Sequence, residues 1–433
     1  MAEPVPAFDA HRPPAQDIVD DCVHCGFCLP TCPTYVLWGE EMDSPRGRIH
    51  LIDQGLQGGP LSGAMVEHVD RCLGCMACVT ACPSGVRYDR LIEDTRAQVE
   101  RRHDRSRGER LLRAMVFALF PHPRRLRAMR PLLRAYRLLR LDRAVGRLGD
   151  RLPGPLRAMA DLMPPIGRDV RLPARVAAHG DRRAVAGLLT GCVQAAFFPD
   201  VNAATARVLA REGCEVVVPP GQGCCGALAL HVGREDEAKK RARRTIEAFE
   251  ESGVDVVVVN AAGCGSAMKE YGELLRDDPE WAPRAAAFAA RVRDVTEVLA
   301  GLAPRATYKP LPVRAAYQDA CHLAHAQGVR SQPRDVLRRV PDLELVEIAE
   351  PELCCGSAGV YNLLQPEAAR ELGDRKAGHI AATDSDVVVT GNPGCLLQIT
   401  AAARRRGEAV RVVSTSTLLD ASQSGASVAR LIS

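Results

Sequence analysis

Sixteen of the seventeen cysteines fall into groups whose spacing is chemical. Cys22, Cys25, Cys28 and Cys32 precede Pro33, and Cys72, Cys75, Cys78 and Cys82 precede Pro83. Both runs read C-x2-C-x2-C-x3-C-P. Three cysteines two residues apart wrap a tight loop around one face of an iron–sulfur cubane, and the fourth faces away toward a second one. The spacing therefore assigns Cys22, Cys25, Cys28 and Cys82 to one [4Fe–4S] cluster, and Cys72, Cys75, Cys78 and Cys32 to another. The prolines end each run by fixing φ and removing a donor. Two zinc sites or a set of structural thiols are the competing readings. A lone C-x2-C would favour zinc, whereas two complete four-cysteine signatures favour iron–sulfur.

The other eight cysteines form an internal repeat. Cys192, Cys224, Cys225 and Cys264 make the first copy; Cys321, Cys354, Cys355 and Cys395 make the second. The offsets from the first cysteine are 32, 33 and 72 in one copy and 33, 34 and 74 in the other. Such agreement implies duplication. Four thiols per copy suffice for an iron–sulfur centre or for zinc, and an empty pocket stays open as a third reading.

The elements that must position these thiols differ along the chain. Between the two N-terminal runs lies a spacer in which Arg48 to Leu56 and Ser62 to Asp70 read as short helices by apolar spacing. Residues 91–150 read as helices broken by Pro121, Pro123 and Pro131. From Leu126 to Leu148 apolar residues recur at helical spacing, with Arg127, Arg130, Arg134 and Arg137 on another face. Residues 152–182 are proline-rich and read as a linker. In the repeats, apolar β-branched runs alternate with helical stretches: Ala184–Leu189, Glu215–Val218 and Val256–Val259, then Val313–Tyr317, Leu343–Ile348 and Val387–Val389. This pattern predicts βαβ units and a largely parallel sheet, with the cysteines just beyond the carboxyl ends of the strands, where open α/β sheets bind ligands. Gly226 and Gly356 let the backbone turn closely behind the paired thiols.

The domains expected are an iron–sulfur domain over 16–92, a basic helical segment with linker over 93–182, and the two repeats over 183–305 and 306–425. The fold class is α+β multidomain.

Composition narrows the function. Aromatic residues make up only 4% of the chain, too few for base stacking on nucleic acid. The N-terminal residues lack the apolar core of a signal peptide. No stretch approaches the length of a membrane span; Ala114 to Phe120 is the best candidate. A cytoplasmic location is therefore expected, with thiols kept reduced for metal. The net charge of +4 hides an asymmetry: residues 101–151 hold sixteen arginines against four acids, or +12, which leaves −8 for the remainder. A basic amphipathic segment suits peripheral contact with an anionic membrane surface, or equally a solvated or subunit-facing helix. No Gly-rich dinucleotide fingerprint and no nucleophile site is recognisable, so a chain bearing clusters takes its electrons from a partner.

At this point the residues carry a resemblance. The CCG repeats resemble the cysteine-rich domains of heterodisulfide reductase and its relatives. The longer helical spacer resembles an α-helical two-cluster ferredoxin. Cys25-Gly-Phe-Cys28, Asp43-Ser-Pro-Arg-Gly-Arg-Ile49, Cys82-Pro-Ser-Gly-Val-Arg-Tyr88, Asn260-Ala-Ala-Gly-Cys-Gly265 and Cys354-Cys-Gly-Ser-Ala-Gly359 are similar to the iron–sulfur subunit of glycolate oxidase (glycolate dehydrogenase). The resemblance spans residues 20–420. It implies a subunit rather than a complete enzyme. By the resemblance, a separate FAD subunit is expected to oxidise glycolate, or D-lactate, to the oxo acid, and this chain to pass the electrons toward membrane quinone. Related subunits for D-lactate or glycerol 3-phosphate oxidation, or a heterodisulfide-reductase-like subunit, are the alternatives; a nucleic-acid-binding regulator is a rival of another class. One pattern departs: heterodisulfide reductases end each repeat with C-x2-C, and here Ala267 and Gln398 replace the last cysteine. That puts a noncubane disulfide-reducing cluster in doubt.

Smaller signals remain. His322 and His325, beside Cys321, read as local hydrogen-bonding histidines, with donors or a ligand to a cluster as the alternative. His24 reads as a residue that tunes potential, and Cys214 as a buried thiol. The Arg46–Arg48 stretch reads either as a dock for an anionic partner or as a surface turn.

Overall fold

The computed structural model describes residues 6–141, 145, 151–164, 170–408 and 410–432. The N-terminal part is helical. Helices Pro33–Trp38, Pro45–Leu56, Gly63–Arg71, Ala77–Ala81 and Tyr88–Arg102 pack around an apolar core that includes Ile49, Ile52, Val66, Val69, Leu91 and Ile92. Helix Pro45–Leu56 starts where the sequence says it must. Ser44 caps it by accepting the Gly47 N–H at 3.0 Å, and Pro45 fills the first position, where no donor is needed. Gly47 is obligatory, because a Cβ there would lie 2.0 Å from the Glu41 carbonyl oxygen.

Two sheets follow. The first contains β1 (Arg175–Val176), β2 (Ala184–Leu188), β3 (Cys214–Val217), β4 (Val256–Val259) and β5 (Val292–Asp294), in the order β1-β3-β2-β4-β5. All its pairings are parallel except that of β1 with β3. The second contains β6 (Val313–Gln318), β7 (Leu343–Glu347), β8 (Val387–Thr390) and β9 (Arg411–Ser414), in the order β7-β6-β8-β9, all parallel. Without β1, the two orders superpose strand for strand, as duplication requires. The repeats share one core, in which Leu188, Val216 and Val258 of the first sheet join Val313, Tyr317, Val389 and Leu418 of the second. A buried polar network ties them further: Asn260 donates to Asn202 and Thr205, and Thr205 donates to Ser416 at 2.8 Å.

Three expectations need correction. Pro131 does not break a helix; it lies inside Pro123–Leu138 and forgoes one helical N–H. The stretch read as linker also carries helix Gly154–Asp161, which packs on segment Tyr361–Leu364, and strand β1. Arg48 is neither a partner dock nor part of a surface turn: it is 1% exposed, for reasons given below. The amphipathic pattern beyond Leu141 lies largely outside the described residues.

Candidate iron–sulfur sites

The two N-terminal loops share one backbone device. The residues on either side of the second cysteine adopt positive φ in both: His24 and Gly26 around Cys25, Gly74 and Met76 around Cys75. The left-handed turns curl each loop so that its three thiols converge, at a cost of about 1–2 kcal/mol for each non-glycine residue. The loops then exchange their fourth cysteines. A surface pocket is lined by Cys22, Cys25, Cys28 and Cys82, with Cys78 at its back. Cys25 is exposed there, flanked by the exposed side chains of Val23 and Phe27. Cys32, Cys72, Cys75 and Cys78 form the second, buried set, in which neighbouring sulfurs act on one another's ionisation.

Charge is arranged around the buried set. Asp43 is fully buried and accepts from Arg48 at 3.2 Å and Arg71 at 3.0 Å, with His68 Nδ1 at 2.9 Å. Arg48 also donates to the Asp43 carbonyl at 2.5 Å, to His68 O at 2.6 Å and to Thr34 at 3.1 Å, and its guanidinium lies 4.0 Å from Cys32 Sγ. Burial opposes ionisation of Cys72, but Arg48, Arg96, the Gly74 N–H at 3.4 Å and the Tyr88 hydroxyl at 3.7 Å outweigh it and hold the thiol pKa below its ordinary value. Cys75 and Cys78 are pushed up instead, by burial and by adjacent sulfurs, and burial pushes Cys28 up to about 11. A close-set group of buried sulfurs is the donor set a cationic iron core requires, and at the exposed place four cysteines line one pocket, so the residue types fit a cluster at each. His24 is exposed; its carbonyl accepts from Arg46, which pairs with Glu41.

In each repeat, three adjacent parallel strands end at the same edge. Neighbouring strands lie about 4.8 Å apart, so loops leaving their carboxyl ends converge. Cys192 follows β2, Cys224-Cys225 follows β3 and Cys264 follows β4; Cys321, Cys354-Cys355 and Cys395 follow β6, β7 and β8. All eight thiols line one cavity of about 350 Å³ between the repeats. Cys321 Sγ is 3.8 Å from Cys354 Sγ, Gly226 N–H donates to Cys224 Sγ at 3.4 Å, and Asn392 donates to Cys395 Sγ at 3.3 Å. Bonds from neighbouring thiols hold Cys224, Cys321 and Cys355 well below the ordinary thiol pKa, while their partners Cys192, Cys225, Cys354 and Cys395 are held above it. The fifth-cysteine positions are closed. Ala267 is buried, and Gln398 donates to Ala369 O at 2.6 Å and accepts from Asn362 at 3.3 Å.

The two histidines divide. His325 Nδ1 is bonded both locally, 2.9 Å from Arg330, and across the fold, 3.1 Å from Thr80 of the dicluster domain. His322 has Nδ1 3.6 Å from Cys321 Sγ, and its Nε2 is buried without a partner. Sequence reasoning missed His231, whose ring lies against that of His322, tilted by 44° with centroids 4.8 Å apart. Nothing in its surroundings in the chain distinguishes it. Reasoning also missed Arg96, which bonds the Cys72 carbonyl from one helix away. Cys214 is fully buried on β3, apart from every thiol set.

Comparison with known proteins agrees with this arrangement. Residues 18–86 match the family described as 4Fe-4S dicluster domain, residues 186–269 and 315–400 match the Cysteine-rich domain, and residues 108–163 match the linker region of the glycolate oxidase iron-sulfur subunit. Fold and sites together define an iron–sulfur electron-transfer subunit built from a dicluster domain and two cysteine-rich repeats. The chain is 39% identical to the probable glycolate oxidase iron-sulfur subunit of Bacillus subtilis, over 92% of this chain and 93% of that one. It is 37% identical to the glycolate oxidase iron-sulfur subunit of Escherichia coli, over 90% and 92%. It is also 32% identical to lactate utilization protein A of Shouchella clausii, over 54% of this chain and 98% of that one. The chain belongs to the glycolate oxidase iron-sulfur subunit family.

Proposed function

We propose that this chain relays electrons from a flavoprotein partner that oxidises glycolate, or D-lactate, to the oxo acid, and passes them toward membrane quinone. Bound clusters supply one-electron redox chemistry at the two N-terminal cysteine sets. Cys22, Cys25, Cys28 and Cys82 would hold the entry cluster, and Cys32, Cys72, Cys75 and Cys78 the inner one, within a domain spanning 16–92. The observation that carries this reading is the graded burial of the three thiol groups. Cys25 is exposed among apolar side chains suited to a partner's surface, the second set is sealed, and its Cys75 shares a buried cluster with Cys321 and Cys354 of the second repeat. Arg48, Arg96 and Tyr88 stabilise negative charge at the inner set and so favour the reduced state there.

The repeats, over 183–305 and 306–425, hold a further iron–sulfur or zinc centre at Cys192, Cys224, Cys225 and Cys264 and at Cys321, Cys354, Cys355 and Cys395. The closed positions at Ala267 and Gln398 disfavour disulfide reduction. The basic segment within 93–182 supports peripheral contact with a cytoplasmic membrane face. Among the described residues no helix is long and apolar enough to cross a membrane. Lactate stands as the second substrate because of the similarity to lactate utilization protein A, and the D-isomer is what the family resemblance implies. The test is anaerobic co-purification with the flavoprotein and a dye-reduction assay comparing glycolate with D-lactate. Activity is expected only with both chains present; turnover by this chain alone would contradict the reading.

A further inference from the structure

Helix Pro366–Ala381, which backs the paired cysteines of the second repeat, buries a cation. Gly356 seats the Cys354-Cys355 turn directly on this helix: its φ is +85°, and a Cβ there would lie 2.5 Å from the Ala369 carbonyl oxygen. Two turns further along, Lys376 is fully buried. Its ammonium donates to the Glu350 carbonyl at 2.6 Å, in the loop that carries both cysteines. Among the described residues it pairs with no carboxylate. Burial lowers the Lys376 pKa, and Cys355, Cys354, Glu350 and Asp319, in that order, oppose the fall. Both carboxylates already have cations of their own. Glu350 accepts from Arg375 at 2.7 Å with His379 Nε2 at 2.9 Å, and Asp319 accepts from Arg334 at 2.7 Å. A buried ammonium needs a counter-charge, and the two thiols are what is left. The first repeat lacks this cation. There Gly226 packs on Ala238, and the residue that corresponds to Lys376 is Thr245, also buried. The cation that acts on Cys224 is Arg241, which Glu237 holds at 2.6 Å.

We propose that Lys376 is the counter-charge of the metal centre in the second repeat and fixes the Cys354 and Cys355 thiolates on their metal. The inference rests on the reading that the repeats hold iron–sulfur or zinc, and it makes the two sites unequal. Four thiolates outweigh the positive charge of a zinc ion or of an oxidised [4Fe–4S] core, so either centre is anionic. In a buried site that surplus is costly unless a cation stands beside it. Lys376 supplies the cation from behind the ligand loop, without being a ligand itself, as groups around a metal site do when they hold its ligands in place. It is a positioning residue. The first repeat, with Thr245 in the same place, does not depend on it.

The test uses the full chain, prepared anaerobically with its metals, as parent, Lys376→Met and Lys376→Arg. Methionine keeps an unbranched side chain and removes the charge, whereas arginine keeps the charge. Metal loss to a chelator is followed with iodoacetamide present, and the alkylated thiols are mapped by mass spectrometry. The cavity lined by the repeat cysteines gives the reagent its access. Lys376→Met is expected to speed alkylation of Cys354 and Cys355 at least fivefold, with Cys224, Cys225 and the iron of the N-terminal sets within twofold of the parent. Lys376→Arg is expected to recover most of the parental protection. Parental alkylation in Lys376→Met, equal losses in the Met and Arg forms, or a rise shared by Cys224 and Cys225 would overturn the proposal. A parent chain holding no metal beyond the N-terminal irons would instead overturn the reading that the repeats bind metal.

Discussion

Thr80 Oγ1 lies 3.1 Å from His325 Nδ1 and closes the seam between the dicluster domain and the second repeat. Arg330 donates to the same nitrogen at 2.9 Å, so Nδ1 accepts from both and the ring is neutral. Burial, with Arg330 beside it, lowers the His325 pKa accordingly. Cys75 and Cys321, from the same two parts of the chain, share one buried cluster. His325→Ala should remove the acceptor that Arg330 and Thr80 share; both donors reach solvent, so the loss is about 0.5–1.5 kcal/mol. Hydrogen exchange should then rise within 75–82 and 321–330. Unchanged protection in both segments would show that the contact does not hold the seam.

The exchange of fourth cysteines between the two loops predicts which signal each variant loses. Cys82→Ser should disturb the exposed cluster and Cys32→Ser the buried one, so the two variants should lose different signals in paramagnetic resonance. Each should drop from about eight irons to about four at the N-terminal pair. If Cys82→Ser and Cys75→Ser erased the same signal, the crossed assignment would be wrong.

Arg48 and Asp43 are 1% and 0% exposed. Breaking such a pair by removing one member leaves a buried charge and costs about 3–5 kcal/mol. Arg48→Met should lower stability in anaerobic denaturant unfolding by about that amount and weaken iron retention at the Cys32, Cys72, Cys75 and Cys78 set first. Parental stability and iron content would mean that His68 and Arg71 suffice for Asp43.

Glu93 gives stability a pH dependence. Burial, then the charges of Glu270 and Asp89, push its carboxyl up to about 8, while the unfolded chain loses that proton near 4.5. Between those values the unfolded state binds fewer protons, so stability falls as pH rises, by at most about 1.4 kcal/mol per unit. Glu93→Gln should flatten this fall and stabilise the protein most at and above pH 8. A slope that stays the same in urea unfolding from pH 5.5 to 8.5 would assign the dependence elsewhere.

How much of this was legible in the chain depends on the range of the interaction. Cysteine spacing is local, and it led to both loops and to the duplication. Apolar β-branched runs placed six strands within a residue of their ends, from Ala184 to Val389, because parallel strands are buried on both faces. Strands β5 and β9 escaped notice because Arg293 and Arg411 interrupt or open short runs. The error at Arg48 has a physical cause: arginines near a turn are usually solvated, and only the folded chain supplies Asp43, His68 O and Thr34 to bury one. The convergence of eight repeat cysteines on one cavity, with His231 against His322, likewise depends on how two sheets pack, which no single segment encodes.

The most direct measurement is anaerobic paramagnetic resonance of the complex with its flavoprotein, before and after addition of glycolate or D-lactate, with iron counted on the same sample. Two interacting [4Fe–4S] signals that appear with the hydroxy acid, and stay silent when the flavoprotein is left out, are the predicted result. Zinc in place of iron at the eight N-terminal cysteines, or clusters that dithionite reduces but neither hydroxy acid does, would contradict a role in carrying electrons from that oxidation.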